Sequence, residues 1–88
     1  MVVEVAESSL SRDRNWKLGI YARNGIEVYW IVNLIGRTLE VYADPTGPCE
    51  SPDYRSSEVL TMSDSVELVI AGIAVAAIRV AELIPDNV

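Results

Sequence analysis

Hydrophobic and polar positions divide this chain into short blocks, most of them with the two-residue period of β-strands. Met1 to Ala6 (MVVEVA) is a β-branched run with one charge inside it, and it predicts a strand that starts at residue 1. Ser8, Ser9 and Ser11 then offer capping oxygens, and Asp13 falls in the first turn of a helix expected from Ser11 to Arg23. Leu18, Tyr21 and Ala22 share one face of that helix by their three- and four-residue spacing. Asn24-Gly25 is a helix stop, since glycine tolerates the left-handed conformation there. Ile26 to Leu34 (IEVYWIVNL) is apolar at nearly every position, the pattern of a central strand covered on both faces.

The loop from Asn33 to Arg37, with Gly36, predicts a hairpin into the alternating strand Thr38 to Tyr42. Asp44 to Arg55 holds Pro45, Gly47, Pro48 and Pro52 and reads as a surface loop. Ser57 to Met62 predicts a further strand. Val66–Ile70 and Ile73–Val80, on either side of Ala71-Gly72, predict a terminal hairpin, closed by a helical turn over Ala81–Ile84 before Pro85. A single apolar helix from Val66 to Leu83 is the competing reading, and the many Val and Ile residues there favour strands. The expected architecture is therefore α/β, an α+β mixed sheet: strand, helix, strand, then antiparallel strands. The parallel pair comes from the strand–helix–strand unit and the antiparallel pairing from the hairpins. Residues 1–43 would form the strand–helix–strand–strand core, 44–55 a loop, and 56–85 the C-terminal strands and closing turn of a single domain. So few helices leave sheet faces and edges bare, which predicts a homodimer.

Composition narrows the chemistry. Eighty-eight residues suffice for one small domain, and a 50% apolar content argues against disorder. Thirteen carboxylates against seven cations give a formal charge of −6, so the chain has no general basic footprint for nucleic acid. There is no histidine, which removes imidazole ligands and the histidine-based catalytic triads and dyads. A lone Cys49 excludes an intrachain disulfide and a cysteine-based zinc site; between prolines in a loop, it reads as an exposed bystander. Glu4 and Glu7 replace the basic start of a signal peptide, and the longest uncharged stretch, Leu68 to Ile78, is too short to span a bilayer. A cytoplasmic protein without a membrane segment is the expectation.

Two residues carry the candidate chemistry, each with a plainer reading beside it. Glu4 interrupts VVxVA. In the plain reading Val3 and Val5 face the core and Glu4 faces water; in the functional one a strand places a rigid carboxylate to ligate a hard cation such as Mg²⁺. Lys17 is the only lysine. It stands four residues after Asp13, the favourable order for a surface ion pair, with Tyr21 four residues further on to cover its stem. The functional alternative is a lysine that orients water or neutralises a phosphate beside a metal. Arg12, Arg14 and Lys17, followed by Arg23, make this helix the only locally basic segment, so Arg12 and Arg14 are weak candidates for nucleic-acid contact. Trp16 has the aromatic face to stack on a base, but a packing role is the expectation; Tyr29, Trp30 and Tyr42 are assigned to the core.

Several words of the sequence together resemble the second half of the Uma-two family, grouped with restriction endonucleases of the PD-(D/E)XK superfamily. They are Val2-Val3-Glu4-Val5-Ala6 with Ser8-Ser9-Leu10, Asp13-Arg14 and Lys17, Tyr21-Ala22, Gly25-Ile26, Tyr29-Trp30-Ile31-Val32-Asn33-Leu34, Leu39-Glu40-Val41-Tyr42, and Ile78-Arg79-Val80-Ala81-Glu82-Leu83-Ile84-Pro85. The resemblance implies a partial restriction-endonuclease-like fold and a metal-dependent phosphodiesterase acting on DNA. Glu4 matches the glutamate of the D/E-X-K motif as a catalytic and metal-ligating residue. Lys17 matches the catalytic lysine, displaced in this family from the strand to the following helix. The cofactor implied is Mg²⁺ or Mn²⁺. The family's metal-binding aspartate lies on a strand upstream of the glutamate's, so the expectation is an impaired site with a weakly held ion. A catalytically inactive nuclease-fold remnant, acting as a homo-oligomeric interaction module, is the alternative.

Overall fold

The computed structural model describes residues 1–6, 11–70 and 72–84, with the side chains of residues 11–15 outside that description. The elements run β1 (Val2–Ala6), α1 (Ser11–Arg23), β2 (Val28–Asn33), β3 (Thr38–Pro45), β4 (Tyr54–Leu60), β5 (Ser65–Ile70), β6 (Ile73–Arg79) and α2 (Val80–Leu83). The first four strands form one sheet in the order β1-β2-β3-β4, and β5 and β6 form a separate two-stranded sheet. β1 pairs parallel with β2, as a strand–helix–strand unit requires; every other pairing is antiparallel. The α+β mixed architecture is thus the one expected, and the terminal segment is a hairpin rather than one helix.

β2 is the sheet's centre because its run of apolar residues can be buried on both sides. Trp30 and Val32 point to one face and join Leu39, Val66, Val80 and Ile84, so the β5–β6 hairpin and α2 close that side. Tyr29 and Ile31 point to the other face, against Leu18 and Ala22 of α1 and Tyr54. The helix face predicted from Leu18, Tyr21 and Ala22 is the one that meets the sheet. Gly25 takes a φ of 71° where the chain leaves α1, the left-handed stop anticipated from Asn24-Gly25.

Several boundaries move. β3 runs on to Pro45 and β4 starts at Tyr54, so the expected loop shrinks to its central part. Asp44 takes a positive φ of 57° between the pairs Ala43–Ser56 and Pro45–Tyr54, which keep the register of the rest of the ladder. The proline sits in the last pair of the ladder, a position that a reading of loop composition does not reveal.

Two expectations about burial are reversed. Val3 and Val5 are 52% and 61% exposed, whereas Glu4 lies half-buried on the side that α1 covers. Alternation along β1 separates two faces without saying which is covered. Here the helix crosses the Glu4 side, and the hairpin that covers the other side of β2 and β3 leaves the valines of β1 in water. Trp16, expected to pack, is 68% exposed. It precedes Leu18 by two residues, about 200° around the helix, and so points away from the sheet. Tyr29 and Trp30 are buried as expected, Tyr42 is half-buried, and Cys49 is a free, exposed thiol. Ser8, Ser9, Glu7, Pro85 and Asp86, and the side chains of Ser11, Arg12, Asp13 and Arg14, lie outside the described residues.

Candidate functional site

The site is assembled by three neighbouring elements. β1 holds Glu4 at its midpoint, in register with Ile31 of β2 and therefore on the α1 side of the sheet. α1 brings Lys17 and Tyr21, one turn apart, down on to that carboxylate. Lys17 Nζ donates to Glu4 Oε2 at 3.1 Å, and Tyr21 donates its hydroxyl to Oε1 at 2.7 Å. From the adjacent strand, Tyr29 donates its hydroxyl to Oε2 at 3.2 Å. Three donors thus converge on two oxygens. The structure brings together the two residues expected to carry the chemistry, and it sets Lys17 against Glu4 rather than leaving it to a surface pair alone.

The electrostatics follow from this arrangement. Burial alone would raise the pKa of Glu4, but hydrogen bonds from Tyr21, Lys17 and Tyr29, with the ammonium's charge, outweigh it and hold the carboxyl below its ordinary range. The Tyr21 hydroxyl is pushed up chiefly because it donates to Glu4, and burial adds to this. Burial, then the nearby Glu4 charge and hydrogen bond, push the Tyr29 hydroxyl up as well. At neutral pH the cluster is an ionised carboxylate, a protonated lysine and two neutral phenols. It can present a positive charge and a fixed carboxylate side by side at the edge of the sheet.

Tyr21 and Tyr29 were not singled out in the sequence as site residues. Tyr21 stands four residues from Lys17, which puts the two on one helix face, and that was the available signal. Tyr29 depends on register: Val2, two residues before Glu4, pairs with it, and no local pattern announces the pairing. All four tyrosines gather on this side of the sheet. Tyr21 meets Tyr29 edge-on at 4.8 Å between ring centroids, and Tyr29 stacks on Tyr42 at 5.8 Å. Tyr54 donates to the Ile26 carbonyl at 2.7 Å, tying the entry of β2 to β4, and its buried hydroxyl is pushed up to about 12. The aromatic bed leaves Tyr29 little freedom to turn its hydroxyl away from Glu4.

A second carboxylate shares the face. Glu40 of β3 pairs with Ile31, as Glu4 does from the other side, so the two glutamates are separated by one intervening strand. At about 4.8 Å per strand their backbones are roughly 10 Å apart. Glu40 is buried and accepts the Tyr42 hydroxyl at 2.5 Å. No group of three or more Asp, Glu, Cys or His residues able to hold a metal ion is present among the described residues. A magnesium ion asks for about six oxygen ligands in near-octahedral geometry. One carboxylate with three donors already on it does not make such a site, so the described residues of a single chain do not fit a resident divalent ion.

A mixed sheet crossed by one helix, with a strand glutamate and a helix lysine in contact near the sheet's edge, defines the class: a carboxylate–lysine site on an α+β scaffold. The chain matches the Uma2 family model, described as "Putative restriction endonuclease", over residues 1–79 and belongs to that family. No curated protein and no solved structure matches it. No helix among the described residues is long and apolar enough to cross a membrane.

Proposed function

We propose that this protein hydrolyses phosphodiester bonds in DNA as an endonuclease, with Glu4 and Lys17 at the reacting centre. The observation that carries this reading is the 3.1 Å contact between Lys17 Nζ and Glu4 Oε2, made between a strand and the following helix in a member of a restriction-endonuclease family. Lys17 supplies a positive charge beside a phosphate oxygen, where charge grows as the bond breaks. Glu4, fixed by Tyr21 and Tyr29, keeps that ammonium in place and offers one oxygen ligand. The reading expects cleavage to require Mg²⁺ or Mn²⁺, with the ion's other ligands coming from outside the described residues of one chain. Arg12 and Arg14 on α1 are the proposed phosphate contacts.

The test is cleavage of a supercoiled plasmid in Mg²⁺ and in Mn²⁺ by the wild type, Glu4→Ala and Lys17→Ala. Nicking that requires the ion and is lost in both variants is the expected result. A second reading is a catalytically inactive member of the family that serves as an interaction module. The charge of −6 and the lack, among the described residues, of a carboxylate cluster able to hold a metal favour it. An absence of cutting in both ions, or cutting indifferent to both substitutions, would decide for that reading.

A further inference from the structure

We propose that Glu40 is a positioning residue for the Glu4–Lys17 site, acting through Tyr42 on the ring of Tyr29, whose hydroxyl donates to Glu4. Glu40 is only 7% exposed, and Tyr42, two residues further along β3, donates its hydroxyl to Glu40 Oε1 at 2.5 Å. A buried carboxylate costs free energy unless its oxygens find donors, and replacing buried charged groups by apolar ones of similar volume is often neutral or stabilising. Stability alone therefore gives Glu40 little reason to stand in the middle of the sheet. Its place in the register gives one. Glu4, Ile31 and Glu40 form one row across β1, β2 and β3, and Val2, Tyr29 and Tyr42 form the next row on the same face. Each tyrosine carries its hydroxyl from its own row to the glutamate row, Tyr42 along its own strand and Tyr29 across to β1.

The two rings lean together, and the outer one limits the inner. Tyr29 lies opposite Tyr42 in the β2–β3 ladder and stacks on it at 5.8 Å between centroids, with 27° between the planes. Tyr42 therefore occupies the β3 side of Tyr29, the direction away from Glu4, and fills the room into which Tyr29 would otherwise turn. With its hydroxyl tied to Glu40, the Tyr42 ring is kept from swinging aside. The bond protected in this way is the longest of the three at Glu4: 3.2 Å from Tyr29, against 3.1 Å from Lys17 and 2.7 Å from Tyr21. Tyr29 and Lys17 share one oxygen, Oε2, so Tyr29 fixes the oxygen on which the ammonium rests. Resting on the nuclease reading, that ammonium is the one that meets the phosphate. Glu40 stands beyond it, with Ile31 of β2 between the two glutamates.

Lys17 is the only lysine, so its side-chain ammonium gives one unambiguous NMR signal. The test follows hydrogen exchange of that ammonium at a single mildly acidic pH, without DNA. Glu40→Leu should speed the exchange roughly three- to tenfold, the range expected when the hold of one hydrogen bond is lost. Tyr42→Phe keeps the ring and the core, so the test stands even where Glu40→Leu fails to fold. It should have about the same effect, and the double variant should add nothing, because both cut one link. Glu40→Gln keeps an oxygen for the Tyr42 hydroxyl and should restore slow exchange. In a Tyr29→Phe background, where no hydroxyl is left to aim, Glu40→Leu should change nothing further. Val66→Ala, in the core on the hairpin side, controls for a general loss of stability and should leave the exchange as it is. Exchange that both Glu40→Leu and Tyr42→Phe leave within about twofold of the wild type overturns the proposal. So does a Glu40→Leu effect that is as large without the Tyr29 hydroxyl as with it, or one that Val66→Ala matches. A plasmid left uncut by the wild type bears on the nuclease reading alone.

Discussion

The two faces of the four-stranded sheet do different work with similar raw material. On the hairpin side Trp30, Val32, Leu39, Val66, Val80 and Ile84 make an aliphatic core around one indole. On the helix side the same strands contribute Tyr29, Glu40 and Tyr42, and α1 adds Tyr21 and Lys17 beside Leu18 and Ala22. Both faces bury apolar side chains, but the second also carries hydroxyls and charges that need partners and stay partly open to water. The first face stabilises the fold. The second holds a charged cluster in one geometry, which adds little net stability and makes sense as a site.

The sharpest way to break this contrast is to empty each face in turn. Leu39 is fully buried at the centre of the aliphatic core. Leu39→Ala should cost about 2–5 kcal/mol in urea denaturation, the lost transfer free energy of the buried side chain plus the cavity it leaves. For a chain this small that is a large share of total stability. A loss below about 1 kcal/mol would mean that the hairpin side is not the stabilising face.

Next in size is Tyr29→Phe, which keeps the ring packing on Tyr21 and Tyr42 and removes only the donor to Glu4. The expected loss is about 1 kcal/mol, the net worth of one partly buried hydrogen bond. If Tyr29→Phe costs as much as Leu39→Ala, the polar face is structural and the division drawn above is wrong.

A third, smaller effect lies in pH. Glu4 titrates below its ordinary value of 4.5 in the folded protein. The stabilisation from its donors is therefore complete above that ordinary value and is lost as pH falls through the lower folded value. Urea midpoints measured from about pH 6 down to about pH 3 should decline less steeply in Glu4→Gln than in the wild type. Equal slopes would remove Glu4 from the account of acid stability. Smallest of all, Trp16→Ser should change stability by no more than about 0.5 kcal/mol, because the indole projects into water. A larger loss would show that the outer face of α1 is packed after all.

Much of the scaffold was readable in the sequence, because its signals are local. The β-branched runs, the Asn24-Gly25 stop and the shared face of Leu18, Tyr21 and Ala22 each rest on residues close in the chain. Glu4 and Lys17 were visible as single departures from pattern, and their meeting was suggested by family resemblance. What the chain did not disclose was anything set by pairing between distant segments. Which face of β1 lies under the helix depends on where α1 crosses, so the valines and Glu4 were assigned to the wrong sides in the plain reading. That Tyr29 reaches Glu4 depends on the β1–β2 register, and that the strand runs on to Pro45 depends on the pairing of Pro45 with Tyr54. Trp16 failed differently: a large apolar residue was assumed to pack, although its helical phase relative to Leu18 already pointed it outwards.

The claim on which the account turns is that Tyr21, Lys17 and Tyr29 hold the Glu4 carboxylate ionised and fixed. The direct measurement is the side-chain carboxyl carbon shift of Glu4, followed by NMR against pH in the wild type and in Tyr21→Phe. The account predicts a wild-type midpoint below 4.5 and an upward move in Tyr21→Phe, where the 2.7 Å donor is gone. A wild-type midpoint at or above 4.5, unchanged by the substitution, would mean that the three donors do not hold this carboxylate in solution.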